Sequence, residues 1–270
     1  MYTVHPIKSG VIESPITKGG LTYLHDDELP VPIPVITFLI TADDPDDDTV
    51  IFVDTGVEQH EPGETIAGGR TIRNGGREPI VDGLAKRGLE PGDVDYVVLT
   101  HLHYDHASNN DLFPDAEFVV QRSELEFARD PLPIMERTFF DKHVKVLDEV
   151  ETRVVEGDHQ LREGIELLHT PGHTPGMQSI VVETSDGPVC IISDLAYCKH
   201  NLDPSASSML DGHGNKVDIT PSDLDYIAPG LHVDVSGCYE SMDRIRNRVG
   251  DGTVLGGHVT EILDRSYPDA

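Results

Sequence analysis

The 270-residue sequence contains no tryptophan and only three cysteines, Cys190, Cys198 and Cys238. Three widely spaced cysteines make no disulfide framework, and none of them sits in a nucleophile motif. Basic residues are also few: 20 Lys and Arg stand against 49 Asp and Glu, a net charge of −29. Such a chain repels phosphate backbones and anionic bilayers, which argues against nucleic-acid and membrane partners. No apolar run approaches the roughly 20 residues that span a bilayer. The opening MYTVHPIKSG lacks the basic-then-apolar pattern of a secretory signal, so the expected location is the cytoplasm. Asp outnumbers Glu and Arg outnumbers Lys. That balance suits a salt-loving source, where dissolved salt screens the self-repulsion.

What is present is the pattern of a folded α/β protein. Hydrophobic residues make up 37% of the chain, enough for a core at this length. Short β-branched runs at 35–40 and 50–54 read as buried strands, joined by the acidic turn 41–49. Residues 79–88 have helical spacing and end in Gly88, a common helix stop. The run 94–100 reads as a strand leading into His101. Residues 117–120 follow as a strand, and 123–129 as a helix capped by Ser123. Further strands are expected at 153–155, 165–168, 179–182, 189–192 and 253–255, and an amphipathic helix at 238–249. No linker rich in Gly, Ser or Pro divides the chain, so residues 1–270 read as one domain. The polar stretch 199–230 is too long for an ordinary connection and reads as a loop insertion. Gly68-Gly69-Arg70 and Asn74-Gly75-Gly76-Arg77 lack the strand–helix setting of a phosphate loop and read as a flexible loop near a site mouth.

The strongest signal is His101-Leu102-His103-Tyr104-Asp105-His106. Four metal-capable side chains lie within six residues, directly after a predicted strand. His101 and His103, two apart on extended chain, point to one side. Asp105 and His106 are then free to face a second ion. Imidazole and carboxylate suit zinc and related divalent ions. The remaining histidines, such as His5, His25, His60 and His143, have no ligand spacing. Ser179 and Ser193 lie in no Gly-x-Ser-x-Gly elbow, which argues against a serine nucleophile.

The six-residue block resembles the H-x-H-x-D-H signature of the metallo-β-lactamase superfamily. Asp54-Thr55-Gly56 after a strand, Thr170–Gly176 around His173, Asp194 after 189–192, and His258 after two glycines extend the resemblance along most of the chain. It implies a four-layer αβ/βα sandwich: two mixed β-sheets flanked by helices. It also implies two divalent ions, zinc first, with iron, manganese or cobalt accepted by the same donors. His101, His103 and His173 would hold one ion, Asp105, His106 and His258 the other, and Asp194 would bridge. Asp54 would orient a ligand from behind. Within the superfamily the chain is most similar to lactonases that open N-acyl-homoserine lactones. That likeness implies a metal-bridging hydroxide attacking the lactone carbonyl, with Tyr197 donating to its oxygen. Asp105 would shuttle a proton, and Tyr104 and Tyr197 would face the substrate. Ala107-Ser108 departs from the small pair that usually follows the motif, and 199–230 is longer than the matching family segment.

The same site also suits a glyoxalase II-type thioesterase, an amidase or a β-lactamase. A nuclease of the superfamily would need a basic surface, which −29 excludes. Flavo-diiron reductases carry Glu where this chain has His103. The expected partner is a small-molecule substrate, and the expected assembly a monomer or homodimer.

Overall fold

The computed structural model describes residues 1–13, 18–23, 30–61, 64 and 69–269. His25 and Gly68, both named in the sequence reading, lie outside the described residues. Seven strands form the first sheet: β1 (Tyr2–Ile12), β2 (Ile33–Ala42), β3 (Val50–Val53), β4 (Ile72–Arg73), β5 (Tyr96–Val98), β6 (Glu117–Gln121) and β7 (Thr152–Val155). Their spatial order is β4-β1-β2-β3-β5-β6-β7. The β1–β3 half is antiparallel, and β3, β5, β6 and β7 run parallel. A second sheet holds β8 (His159–Arg162), β9 (Ile165–His169), β10 (Gln178–Thr184) and β11 (Gly187–Ser193). A hairpin, β12 (Ser208–Leu210) with β13 (Lys216–Asp218), stands apart. The final strand β14 (Thr253–Gly256) pairs parallel to β11 at the edge of the second sheet.

Alternation explains the layering. In β2, Ile36, Phe38 and Ile40 face the second sheet, and Leu39 faces the other way. In β3, β5 and β6, Ile51, Val53, Val98 and Val119 join the inner core, while Phe52, Val97, Phe118 and Val120 point outward. A strand apolar on both faces needs cover on both. Helices α2 (Glu78–Ala85), α3 (Arg122–Arg129) and α4 (Asp141–Val146) supply the outer cover with Ile80, Leu84, Leu125 and Val144. Two short helices, α1 (Lys18–Leu21) and α5 (Lys199–Leu202), lie elsewhere. On the second sheet α6 (Val235–Val249) buries Cys238, Met242 and Ile245. The result is the expected αβ/βα sandwich of two mixed sheets. No helix among the described residues is long and apolar enough to cross a membrane.

Several boundaries differ from the sequence reading. Strand β1 is not expected from the sequence, because Pro6, Lys8 and Gly10 break its pattern. It nonetheless pairs with β2 from Tyr2↔Ala42 to Ile12↔Ile33, with a register shift between Lys8 and Gly10. Ser123 does not cap α3; the helix starts one residue earlier, at Arg122, and Gln121 occupies the cap position. Helix α6 starts at Val235 rather than Cys238, because Asp234 accepts a hydrogen bond from Ser236 N at 3.0 Å and caps it. The segment 199–230 carries α5 and the β12–β13 hairpin, so it is not a structureless loop. Asn201 anchors it, accepting from the backbone of Tyr197 and Cys198 and donating to the carbonyls of Leu21 and Ile227.

Candidate metal centre

Strand ends deliver the donors. Strand β5 leads into His101–His106; the turn after β9 carries His173; β11 ends just before Asp194; β14 ends just before His258. Left-handed backbone occurs at two non-glycine residues around the site, Asp54 just after β3 at φ 59° and Ser193 at the end of β11 at φ 44°. Such backbone costs free energy and tends to be kept where a site requires it. Here it swings Asp54 and the residue after Ser193 out of their strands. The loop of His173 needs glycine: a Cβ on Gly172 would collide with the Cys238 backbone nitrogen.

All seven expected ligands converge, and all are buried. His101 Nε2 lies 3.1 Å from His103 Nδ1, and His173 Nε2 lies 3.0 Å from the same atom. His106 Nε2 and His258 Nε2 each lie 3.1 Å from Asp194 Oδ1. Asp105 Oδ2 is 3.9 Å from His106 Nε2 and 3.7 Å from His258 Nε2. The other oxygen of Asp194, Oδ2, faces the first group, 3.7 Å from His101 Nε2 and 3.3 Å from His173 Nε2. One carboxylate therefore stands between two sets of three donors.

The reverse side of four of the five rings fixes its proton; His103 instead turns Nδ1 inward, and its Nε2 has no hydrogen-bond partner among the described residues. His173 Nδ1 donates to the Leu231 carbonyl at 2.8 Å, and His258 Nδ1 to the Pro34 carbonyl at 2.6 Å. His106 Nδ1 donates to Asp54 Oδ2 at 2.8 Å. Thr100 spends its hydroxyl proton on Asp54 Oδ2 at 2.8 Å, so its oxygen accepts from His101 Nδ1 at 3.1 Å. Each of these four rings is left with a bare Nε2 aimed into the centre, the arrangement that orients metal-binding histidines.

These residues fit a pair of divalent ions. Among the described residues, Nε2 of His106 and His258 and both oxygens of Asp194 have no hydrogen-bond partner outside this cluster. Orphaned buried polar atoms are costly, and several converging on one point call for a cation. Tetrahedral zinc, with nitrogen about 2.0–2.1 Å away, sets its ligand atoms about 3.3 Å apart, near the spacings seen here. Asp54, Asp105 and Asp194 also bring three buried carboxylates together, which need positive charge close by. Electrostatics divide the two groups. Burial, then the neighbouring charge on His106, pushes His101 well below the usual imidazole range; burial and His173 do the same to His103. Burial also lowers His106, but Asp194, Asp54 and Asp105 outweigh it and hold His106 well above that range. The carboxylates thus draw positive charge to the second group, a pull that a cation at the Nε2 atoms would satisfy in place of a second ring proton.

A cavity of about 210 Å³ opens onto these donors, lined among others by His103, Tyr104, Asp105 and Tyr197. Tyr197 stacks on His258 with ring centres 5.0 Å apart and planes 2° from parallel. Burial first, then Asp194 and Asp105, raises its hydroxyl well above 10, so it remains a donor. Of the glycine-rich stretch, Arg70 reaches this cavity, whereas Asn74 and Gly75 line a separate cleft near α2. Sequence reasoning missed Thr100, Glu124 and the carbonyls of Pro34 and Leu231. Buried Glu124 accepts from Leu102 N at 2.9 Å, Thr174 Oγ1 at 2.6 Å and Gly176 N at 3.2 Å. It ties the His101–His106 turn to the His173 loop. A lone helical Glu gives no signal of this, and a carbonyl gives none in any sequence.

The fold and donor set together are those of a metal-dependent hydrolase. The chain belongs to the metallo-β-lactamase superfamily, whose family model matches residues 31–258. An N-acyl homoserine lactonase from a Bacillus species is 32% identical over 200 residues, covering 71% of this chain and 72% of its own. N-acyl homoserine lactonase AiiA of Bacillus thuringiensis subsp. kurstaki matches to the same extent. A crystal structure of a B. thuringiensis AiiA variant, with N-decanoyl-L-homoserine at its active site, superposes with a TM-score of 0.74. The match covers 96% of this chain and 94% of that one at 24% identity, a likeness of fold.

Proposed function

We propose that this protein opens lactone rings of the N-acyl-homoserine type, using two divalent ions, zinc first, held by the seven converging ligands. The observation that carries this reading is Asp194, whose two oxygens each face a separate three-donor group. His101, His103 and His173 would seat one ion; Asp105, His106 and His258 would seat the other; Asp54 and Thr100 orient His106 and His101. Bound there, such ions would polarise a carbonyl oxygen and would bring the pKa of water from 15.7 towards about 7. Tyr197 keeps its proton and donates to the carbonyl oxygen as negative charge gathers there, a contact that strengthens towards the transition state. Asp105 holds the proton released by the attacking water and passes it to the departing ring oxygen. Tyr104, beside them on the wall, contacts the substrate. The product is a ring-opened hydroxy acid. We place all of this in one domain spanning residues 1–270, with 199–230 an insertion beside the pocket.

The test is direct. Purified protein should contain about two divalent ions per chain by elemental analysis. A chelator should abolish hydrolysis, and zinc, cobalt or manganese should restore it. Against a panel of lactones, an S-acyl-glutathione and nitrocefin, lactones should turn over fastest. Faster thioester or β-lactam cleavage would move the reading to the thioesterase or β-lactamase alternative on the same site.

A further inference from the structure

The cavity wall carries two guanidinium groups that the chemistry above does not use. Arg70 and Arg137 both line the cavity over the ligand groups. Arg70 Nη1 donates to the Tyr104 hydroxyl at 3.2 Å. Arg137 lies in a single turn, Glu136–Thr138, whose Thr138 carbonyl accepts from Tyr104 N at 2.9 Å. Both arginines are thus tied to the ligand turn through Tyr104.

Neither arginine has a carboxylate within ion-pair distance among the described residues. Arg87, Arg246 and Arg265 likewise pair with no carboxylate among the described residues, but they bond a carbonyl or the Tyr267 hydroxyl and do not line this cavity. Eight other arginines each pair with Asp or Glu. Arg153, for example, holds Glu117 through two contacts of 2.7 Å. The acid that acts on Arg70 is Asp105, which belongs to the second ligand group. Once Asp105 serves that group, Arg70 is a partly buried cation without a counterion. A guanidinium removed from water needs an anion, and its planar fork matches a carboxylate with two parallel hydrogen bonds. The rest of the wall includes Ile12, Ile33 and Leu231, an apolar lining suited to a short methylene chain.

We infer that this pocket selects lactones whose acyl substituent ends in a carboxylate, seated by Arg70 and Arg137. This rests on the lactone-hydrolase reading and narrows its substrate. It predicts a preference opposite to that of a wall lined only by apolar groups.

The test uses the full-length, zinc-loaded protein and a matched pair of six-carbon probes, N-adipoyl- and N-hexanoyl-homoserine lactone. The adipoyl lactone should show a kcat/KM higher by about tenfold or more, the range of a charge-assisted hydrogen bond. Arg137→Met should remove most of that ratio; Arg137 is exposed and has no side-chain partner among the described residues, so its loss leaves the fold intact. Arg70→Met should do the same. A wild-type ratio of one or below overturns the inference and leaves the lactonase reading standing. If Arg70→Met slows both probes equally, Arg70 only positions Tyr104, and its share of the inference is overturned. If neither lactone opens, the lactonase reading fails, and calorimetry with ring-opened N-adipoyl- and N-hexanoyl-homoserine decides. Tighter adipoyl binding that disappears in Arg137→Met upholds the anionic pocket; equal affinities overturn it.

Discussion

The floor and the wall of the pocket obey opposite rules. On the floor, His101, His106, His173 and His258 are fully buried, and each has its rear nitrogen held by a fixed acceptor. Two of those acceptors are backbone carbonyls, which no substitution easily removes. On the wall, Arg70, Arg137 and Tyr197 reach into the cavity from three separate segments, and neither arginine has a carboxylate partner among the described residues. The floor's geometry is over-determined by its surroundings, whereas the wall leaves charge to be satisfied by whatever binds. Reaction type therefore belongs to the floor and substrate choice to the wall, in keeping with function residing in sites rather than folds.

The largest effect should come from breaking the floor at its shared point. Asp194→Ala removes the two oxygens that face the two donor groups and leaves Nε2 of His106 and His258 without the carboxylate between them. Metal content should fall well below two ions per chain. Activity should drop by more than the roughly 10–100-fold typical of losing a residue that merely orients a ligand. Full activity with two ions retained would dissolve the distinction between floor and wall, because the bridging carboxylate would then be dispensable.

A middle-sized effect should come from the wall. Tyr197→Phe removes one hydroxyl and leaves the ring stacked on His258. Losing one hydrogen bond to developing charge is worth about 1.4 kcal/mol, so kcat should fall about tenfold. Metal content should not change. Unchanged kinetics would make Tyr197 a packing residue for His258; loss of metal would move it to the floor.

How much of this was legible in the sequence follows the same division. The floor was readable because ligand chemistry restricts residue type. Seven donors of the right kind, at strand ends in the right order, seldom occur together except around metal ions. The outer parts of the floor were half readable. Asp54 follows a strand in a recognisable turn, but Thr100 sits among apolar neighbours and shows its role only when its hydroxyl is seen bridging Asp54 and His101. The wall was nearly illegible. Arg137 sits 31 residues beyond His106 in a segment without periodicity, and contacts distant in sequence bring that segment to the pocket: the Tyr104–Thr138 hydrogen bond and the packing of Phe139 on His103 and Phe140 on Tyr104. Strand β1 was hidden for a different reason. Its neighbours cover both of its faces unevenly, so tertiary pairing with β2 overrides a poor local pattern.

The smallest effect should come from the brace beneath the floor. Glu124 touches no ligand, yet its carboxylate joins the two loops that carry His101, His103 and His173. Burial raises its pKa from the ordinary 4.5 to about 7, against the pull of its three donors, Thr174 Oγ1 foremost. The sign follows from linkage. Between pH 4.5 and 7 the folded protein retains a proton that the unfolded chain has released, so folding stability declines as pH rises through that window. Glu124→Gln cannot titrate there. Denaturation of the zinc-loaded wild type and variant should show their stability difference shifting against the wild type by at most about 1.4 kcal/mol per pH unit across the window, and staying level outside it. Turnover at pH 8 should change less than in Tyr197→Phe. Parallel stability curves would mean that Glu124 is ionised throughout, with its three donors outweighing burial. The floor would then rest on a charge-assisted brace rather than a neutral one.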